Sequence, residues 1–418
     1  MKSFQSKQKE TVWSKANQLP EGWSLESFSN VVEINSNTLS AYTPDDYSFY
    51  YLSLSDVNSG VINHPAEKIC FKSAPDRARR IVKQGDILLS TVRPNLQGFG
   101  YVDFNGDDYV CSTGFAVLRP KTNVVGQYLY QFLYSHQVTQ YFYSCVVGSN
   151  YPAINNSDIE RISLPLPPID EQKKISQILS TWDRAIERVQ RLIEAKQRQK
   201  KGLMQVLLTG RLRFPEFGEP VYGEENIPCG WKAIEFHDCA TRSKKKIDPV
   251  TNGFNFRCVE LEHISQETGK IIGETESKQQ TSSKNYFRAG NVLFGKLRPY
   301  LNKFAFCDFE GVCSSEIWVL QNKSICTSRY LFYLVQTDTF LSASSQTTGT
   351  KMPRSDWNVV KKTKFALPNL EEQERITALL DQVEQNIELL ERYVLQLKQQ
   401  KKGLMQKLLT GEIRVKVE

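Results

Sequence analysis

The sequence lacks the features that would assign it to a membrane, to the exterior of the cell or to a disulfide-rich class. No apolar run approaches the ~18 residues that a membrane span needs, and the polar start MKSFQSKQKE has no apolar signal core. The nine cysteines are odd in number and form no C-x-x-C pair, which disfavours a disulfide framework. These absences predict a cytoplasmic protein with reduced thiols and no membrane contact.

Catalytic motifs are also scarce. The chain has only four histidines, and their scatter suggests no nucleophile–base constellation: they are His64, His136, His237 and His263. No N-P-P-F or D-P-P-Y segment, the mark of an adenine methyltransferase, occurs. The sequence therefore predicts a chain with no catalytic residues of its own.

Two weak motifs, one for nucleotide binding and one for zinc binding, do not fit their usual patterns. Residues 290–296 spell G-x-x-x-x-G-K, but Leu297 stands where a P-loop needs a serine or threonine for magnesium. A zinc site could be drawn from one set of side chains, although its spacing fits no usual zinc pattern: His237, Cys239, Cys258 and His263. We expect neither nucleotide nor metal binding by this chain.

What is present is length and a modest excess of positive charge. The 418 residues allow two or three domains, and 53 Lys and Arg against 46 Asp and Glu give a net charge of +7. This balance permits a polyanionic partner without proving one.

An internal repeat is the strongest signal. KKGLMQVLLTGRLRF at 200–214 returns as KKGLMQKLLTGEIRV at 401–415, with 11 of 15 positions identical. Weaker echoes precede it in the same order: LPEGW and IPCGW, GDILLSTVRPNL and GNVLFGKLRPYL, VCSTGFAVL and VCSSEIWVL. The chain is thus two copies of one unit, each a globular part followed by a helical tail.

The tails carry a seven-residue apolar repeat. It runs from Ile175 to Leu207 and again from Ile376 to Leu408, which indicates a coiled-coil seam, although Lys196 and Lys200 occupy seam positions where apolar residues are expected. Each helix is about 40 residues long, or roughly 60 Å. The first tail is basic and the start of the second is acidic, so antiparallel pairing is favoured.

The globular parts read as mixed α and β, with basic residues among aromatics. Positions that could contact DNA are Lys72, Arg77, Arg79, Arg80, Arg93 and Asn150 in the first half, and Lys244, Lys245, Lys284, Lys296, Arg298 and Lys351 in the second. Arg93 and Arg298 are the strongest candidates because each stands in an R-P turn after a strand in both copies. A solvated charged face, or a structural role, is the alternative for each of them.

These motifs resemble the specificity subunit of type I restriction–modification systems. The tails LPLPPIDEQKKISQIL and FALPNLEEQERITALL, the two KKGLMQ segments and the openings LPEGW and IPCGW carry the resemblance from about Leu19 to Lys416. It implies two target-recognition domains, each reading half of a bipartite asymmetric DNA target, with two antiparallel helices spacing them. The segments implied are an N-terminal extension 1–18, recognition domains 19–168 and 214–369, and helical spacers 169–213 and 370–418.

The resemblance also implies partners. Two modification (methyltransferase) subunits and restriction subunits would bind S-adenosylmethionine, ATP and Mg, and this chain would bind double-stranded DNA and no cofactor. The implied docking residues are Gln172, Lys200, Lys201, Gly202, Gln205, Gln373, Lys401, Lys402, Gly403 and Gln406. From the residues alone, a stand-alone nuclease and a coiled-coil tether between two protein-binding domains stay open.

Overall fold

The computed structural model describes residues 19–58, 60–146, 152–220, 227–249, 251, 253–348 and 352–417. The chain forms two compact units: unit 1 comprises Met1–Val189 and Arg392–Glu418, and unit 2 comprises Gln190–Glu391. Each unit mixes strands and helices, which confirms the predicted fold class and the internal repeat. Both unit boundaries fall inside long helices, whereas the recognition domains expected from sequence, 19–168 and 214–369, end where those helices begin. None of the helices within these described ranges combines the length and the apolarity needed to cross a membrane.

Unit 1 is built on two four-stranded sheets. Its strands are β1 Ser24–Ser27, β2 Val32–Ile34, β3 Ser48–Leu52, β4 Val57–Asn58, β5 Val61–Ile62, β6 Ile69–Cys70, β7 Ala78–Ile81, β8 Ile87–Ser90, β9 Phe99–Tyr101, β10 Tyr109–Ser112, β11 Phe115–Pro120 and β12 Ser163–Leu166. Its helices are α1 Phe28–Val31, α2 Gly126–Leu133, α3 His136–Val146, α4 Asn156–Glu160 and the first part of α5 Ile169–Leu207. The sheet orders are β6-β3-β10-β7 and β2-β11-β8-β9, with the pairs β1-β12 and β4-β5 beside them.

Unit 2 repeats this plan. Its strands are β13 Lys232–Glu235, β14 Ala240–Arg242, β15 Lys246–Ile247, β16 Arg257–Val259, β17 Thr275–Glu276, β18 Lys284–Phe287, β19 Val292–Gly295, β20 Phe304–Phe306, β21 Gly311–Cys313, β22 Ile317–Asn322, β23 Thr347–Thr348, β24 Arg354–Ser355 and β25 Lys364–Leu367. Its helices are α6 Phe236–Cys239, α7 Ser328–Leu334, α8 Asp338–Ser344, α9 Trp357–Val360 and α10 Leu370–Leu409, whose last part belongs to unit 1. The sheet β14-β22-β19-β20 matches β2-β11-β8-β9, and the five-stranded sheet β15-β18-β21-β16-β17 matches β7-β10-β3-β6 with β15 added at one edge. In the described residues the parallel pairs are β3 with β10 and its equivalent, β16 with β21.

One strand of each unit, β8 or β19, lies between two hydrophobic cores because it consists of consecutive apolar residues, ILL in β8 and VLF in β19. Successive side chains of a strand point to opposite faces. Ile87 and Leu89 therefore lie in the core beneath the helices, while Leu88 lies in the core between the sheets. In unit 2, Val292 and Phe294 likewise face one core, and the residue between them faces the other.

Each unit contains an antiparallel contact between the two long helices. In unit 1, Ile175 and Leu179 near the start of α5 share a core with Met405 and Leu408 near the end of α10. In unit 2 the roles are exchanged, and Met204 and Leu207 of α5 pack with Ile376 and Leu380 of α10. The predicted antiparallel pairing is thus present within each unit, and the apolar seam positions of both helices are buried or half-buried.

The ends of the long helices follow their sequence signals. α5 begins directly after Pro168 and carries acidic residues in its first turn, which complement the helix dipole. α10 begins with the Asn369 side chain accepting the Glu372 N–H at 2.8 Å. Gly210 and Gly411, with φ of 72° and 74°, turn the chain away just beyond the two helices.

Candidate nucleic-acid interface

The two R-P turns are strained in the same way. Arg93 has φ 49° and Arg298 has φ 52°, and each is followed by a short 3₁₀ helix, Pro94–Leu96 or Pro299–Leu301. A left-handed conformation at a bulky residue costs roughly 1–2 kcal/mol. The strain is present in both units, as expected where a loop must hold one particular shape.

A second segment of each unit holds its R-P turn in place. The Arg93 N–H donates to the Pro152 carbonyl and the Arg298 N–H donates to the Pro353 carbonyl, both at 2.8 Å. These prolines end the GSNYP and GTKMP segments that carry the predicted contact residues Asn150 and Lys351. Those two residues themselves lie outside the described part of the chain.

The side chains on the R-P turns point to solvent. Arg93 and Arg298 are exposed, and among the described residues no side chain or carbonyl pairs with either guanidinium. Each turn also exposes a large apolar side chain, Leu96 at 63% and Tyr300 at 61% of their surface. A free guanidinium beside an exposed apolar group is a chemistry suited to phosphates and base edges.

The other candidates of unit 1 divide between surface and interior. Lys72 and Arg77 are exposed, the former 3.4 Å from Asp45. The Arg79 guanidinium lies 4.8 Å from the Phe71 ring centre.

Arg80 is turned inward. It donates to the Asn35 side chain and to the Phe115 carbonyl, and burial lowers the pKa of its guanidinium. Arg80 therefore ties the two sheets of unit 1 together and is not available to a ligand, which removes it from the surface that we propose below.

In unit 2 the structure also separates the predicted cations. Lys244 and Lys245 are exposed, and the Lys245 ammonium lies 3.9 Å from the Tyr286 ring centre. Lys284, in contrast, is 4% exposed and forms an ion pair with Glu260. We do not carry it forward as a DNA contact.

Lys296 lies beside an existing ion pair. Its ammonium is 3.9 Å from Glu316, whose carboxylate already accepts from Arg354 at 2.9 and 3.2 Å. The Arg354 guanidinium has a raised pKa because of those hydrogen bonds. Lys296 thus stays close to the R-P turn of unit 2 but is partly neutralised.

A buried polar clasp escaped the sequence reasoning. In unit 2, Glu372 accepts from Arg213 at 2.9 Å twice and from the Trp231 indole at 2.9 Å. Arg213 and Glu372 expose only 2% and 1% of their side chains, and the pairing raises the pKa of Arg213. We call these three residues the unit 2 clasp.

Unit 1 has the equivalent clasp from the opposite end of the chain. Glu171 accepts from the Trp23 indole at 3.3 Å and from the Arg414 guanidinium. Arg414 is more open than its counterpart, with 44% of its side chain exposed. The clasps join the motifs LPEGW and IPCGW to the Glu-Gln pairs at the helix starts. The repetition of both motifs in the two halves of the sequence was the signal that could have predicted the clasps.

The two glutamines proposed for docking are buried beside the clasps. Gln172 accepts the Val125 N–H at 2.8 Å and donates to Asn123 and Pro167 carbonyls, and Gln373 repeats this pattern with Thr327, Ile325 and Pro368. They are 1% and 0% exposed. Both side-chain amides hold the start of a long helix against a loop of the same chain. They satisfy backbone N–H and carbonyl groups that are buried there and would otherwise have no hydrogen-bond partner.

The lysines at the seam form ion pairs. Lys200 pairs with Glu384, and Lys401 pairs with Asp183 at 2.6 Å, at equivalent positions of the two helices. Both ammonium groups are nearly buried, at 12% and 13% exposure. A carboxylate on the paired helix therefore explains the Lys200 that interrupted the apolar repeat.

The outward face of each KKGLMQ segment is exposed, while Met204 and Met405 face the cores. The exposed residues are Lys201, Gly202 and Gln205 in α5 and Lys402, Gly403 and Gln406 in α10. A Cβ built on Gly202 or Gly403 would meet nothing within 4 Å. Packing inside the chain therefore does not require either glycine, although glycine inside a helix costs about 1 kcal/mol relative to alanine.

The described part of the chain brings together no group of three or more His, Cys, Asp and Glu residues suited to a metal ion. Of the four residues that the sequence offered as a zinc site, Cys239 and Cys258 lie in separate core clusters.

Comparison with known proteins decides the family. The family described as type I restriction modification DNA specificity domain matches residues 20–197 and 243–399, well over half of the chain and once in each half. The chain belongs to the type I restriction–modification specificity subunits. Its role is that of the DNA-recognition subunit, and the resemblance stated from the helical motifs is confirmed.

Individual relatives agree. The specificity subunit is similar to the type I restriction enzyme MjaVIII specificity subunit of Methanocaldococcus jannaschii, with 28% identity over 80% of this chain and 81% of the relative. The HindI specificity subunit of Haemophilus influenzae shares 34% identity over a shorter stretch, 28% of this chain and 26% of the relative.

Two solved structures share the fold of this specificity subunit. One is a chain from a study of complex assembly and conformational transition of the type I R-M system, with TM-score 0.58, 21% identity and coverage of 95% of this chain and 100% of that chain. The other is the S subunit from M. genitalium, with TM-score 0.51, 13% identity and coverage of 96% and 98%.

Proposed function

We propose that each unit of this specificity subunit reads one half of a bipartite, asymmetric DNA target. The observation that carries the proposal is the pair of R-P turns, where Arg93 and Arg298 are held in a strained conformation with free, exposed guanidinium groups. Base edges in the major groove present acceptors that an arginine contacts in pairs. The surroundings of the two turns differ in sequence, which favours two different half-sites.

The long helices are proposed to set the distance between the half-sites. α5 and α10 have 39 and 40 residues, and a helix of that length spans roughly 60 Å. At 3.4 Å per base pair, this is an upper limit of about 18 base pairs.

We propose that the open faces of the KKGLMQ segments receive two modification subunits. The faces around Gly202 and Gly403 have the same sequence, so two copies of one partner can bind in the same way. The uncrowded glycines support this, since a closely approaching partner backbone is a reason to keep glycine in a helix. Restriction subunits would join through the assembled complex.

Methyl transfer and cleavage are proposed to reside in the partner subunits, which would bind S-adenosylmethionine, ATP and Mg. This chain would contribute recognition and no catalytic group. Support comes from the sequence, which holds no methyltransferase segment and only a defective P-loop pattern.

A selection from random duplex DNA tests the recognition function. Full-length protein, purified with its modification subunits, should enrich two short motifs at one fixed spacing. The adenine methylation pattern of DNA from cells that carry the system should show the same bipartite motif. Enrichment without any motif would contradict the proposal.

The spacing role has its own test. Insertion of one heptad after Val189 and one after Glu391 keeps the seam in register and lengthens each helix by about 10 Å. We expect the half-sites to move apart by about three base pairs. The same insertion in α5 alone is the control and should break assembly or lower affinity, and an unchanged spacing with both insertions would refute the ruler.

A further inference from the structure

Unit 2 contains an open, basic groove at the junction of its two large sheets. The groove has a volume of about 400 Å³, and its charged and aromatic lining consists of Arg242, Lys244, Lys245, Tyr286 and Arg288. Arg242 lies at the end of β14 and Tyr286 lies in β18, so the two sheets supply opposite walls. The groove is separate from the R-P turn, which follows β19.

None of the four cations of the groove forms a salt bridge within the described residues. Arg242 stacks near Trp318 and Trp357, with its guanidinium 6.0 and 5.5 Å from the ring centres. Lys245 lies over the Tyr286 ring, and the exposed Lys244 ammonium forms no hydrogen bond or ion pair with the described residues. Four positive charges thus share one concave surface without a salt bridge.

Tyr286 organises the groove. Its hydroxyl donates to Glu310 and accepts from the Arg288 Nε at 3.3 Å, while its ring supports Lys245. The hydrogen bond to Tyr286 raises the pKa of the Arg288 guanidinium, and the Glu310 carboxylate adds a smaller effect in the same direction. The remaining guanidinium nitrogens of Arg288, which is exposed, stay available to a ligand.

The equivalent surface of unit 1 has lost this charge. Strand register pairs Ile34 with Leu118 as it pairs Arg242 with Leu320, so Ile34 takes the place of Arg242. The Ile81 N–H donates to the Asn37 carbonyl as the Tyr286 N–H donates to Lys245, so Asn37 takes the place of that lysine.

The opposite wall differs as well. Lys83 replaces Arg288, since each N–H donates to the side chain at the equivalent of Asp86. In unit 1 that aspartate also forms a two-bond ion pair with Arg119, at 2.9 and 2.7 Å. Arg119 itself stands at the place of Gln321, so this position of unit 1 carries a cation that is already paired. Among the described residues at these equivalent positions, unit 1 therefore has one cation without a salt bridge, Lys83, where unit 2 has four.

We infer that the groove of unit 2 binds the phosphodiester backbone of DNA, giving this half of the protein a sequence-independent grip that the other half lacks. The inference rests on the proposed function and adds to it a difference between the half-sites. Cations that contact phosphates release counterions, so binding through the groove depends steeply on salt. The half-site read by unit 2 is then the more salt-sensitive one.

The test compares two triple variants of the full-length protein. The groove variant is Lys244→Ala, Lys245→Ala, Arg288→Ala, and it spares Arg242 because that side chain packs on tryptophans. The charge-matched control is Lys232→Ala, Lys278→Ala, Lys362→Ala. Each of these three lysines is exposed in unit 2 and lies outside the groove. Affinity for the target duplex and for a scrambled duplex is measured from 50 to 300 mM salt, with thermal melting to verify the fold.

We expect the groove variant to lose about 2–3 units from the slope of log affinity against log salt, since each phosphate contact contributes about 0.9. The loss should be equal for target and scrambled duplexes. A separate double variant, Lys244→Arg, Lys245→Arg, keeps both positive charges and should bind with the slope of the parent protein. An unchanged slope, or an equal change in the control variant, overturns the inference.

The source of the phosphate is tested separately. Titration with inorganic phosphate and with a mononucleotide should show only weak binding to the parent, which the groove variant weakens further and the control variant leaves unchanged. Tight binding of either compound that only the groove variant loses, with an unchanged DNA slope, would assign the groove to a free ligand instead. A parent protein without sequence preference would refute the proposed recognition, while the slope comparison would still decide the groove.

Discussion

The two units share a framework and differ on its surface. Both have the same order of equivalent strands apart from the added edge strand β15, the same strained R-P turn and the same clasp, yet the groove positions of unit 2 are occupied in unit 1 by residues such as Ile34 and Asn37. The Trp, Glu and Arg of the clasp and the glutamine at each helix start are the same in both copies, whereas the side chains of the groove differ. A repeated framework with unequal surfaces suits the reading of two unlike half-sites.

The framework itself is not perfectly equal. The unit 2 clasp buries Arg213 to 2% exposure, while Arg414 in unit 1 keeps 44% of its side chain in solvent. The charge of the buried arginine is balanced by its carboxylate and its remaining hydrogen bond goes to the neutral Cys229 carbonyl, whereas the open arginine is also solvated by water. The following changes are designed to sharpen or to remove these differences.

The largest effect is expected from Glu372→Gln. It leaves the buried Arg213 charge without a counter-charge, which should destabilise unit 2 by about 3 kcal/mol. Glu171→Gln should cost unit 1 clearly less, because Arg414 is partly solvated. Hydrogen exchange of β13 and β25, compared with β1 and β12, measures the two losses within one chain.

Glu374→Gln is the control for this comparison, since Glu374 is exposed on the same turn of α10. It should leave exchange in both units unchanged. Equal protection losses for Glu372→Gln and Glu171→Gln would show that burial of the arginine does not govern the clasp.

An intermediate effect is expected at the R-P turns. Arg93→Ala and Arg298→Ala should each weaken binding by about ten- to hundredfold, and each should relax selectivity at one half-site only. Selection from random duplexes with each variant identifies the affected half-site. Loss of selectivity at both half-sites from one substitution would indicate a defect in folding rather than a lost contact.

The smallest effect on the chain itself is expected from Gly202→Ala and Gly403→Ala. Each should stabilise its helix by up to about 1 kcal/mol, because the new methyl group meets no neighbour. Each should nevertheless lower the affinity for one modification subunit by about tenfold, and the double variant should bind neither firmly. Binding stoichiometry and thermal melting distinguish the two effects, and unchanged affinity would remove the glycines from the docking surface.

Much of the architecture could be predicted from sequence because its signals are local. The heptad predicted α5 and α10, and the apolar runs around Leu88 and Leu293 predicted buried strands. Strand order could not be predicted, since pairs such as β3 with β10 join segments about sixty residues apart with no local mark of their partnership.

Side-chain roles were harder to predict than elements. A docking role for Gln172 and Gln373 is what the resemblance to the family implies. Both side chains are buried against a loop, and only tertiary structure shows that loop. Arg80 and Lys284 were grouped with exposed cations because the sequence shows their charge but not their burial, and each is held by partners far away in sequence.

The unit 1 clasp has a consequence for synthesis on the ribosome. Glu171 emerges long before Arg414, and at about 5–20 residues per second the delay amounts to tens of seconds at the slow end. Unit 2 meets no such wait, because Arg213 is already present when Glu372 is made. The half of the protein that is synthesised first is therefore completed last, and a chain released early, before its final turn, would leave its amino-terminal half unclosed.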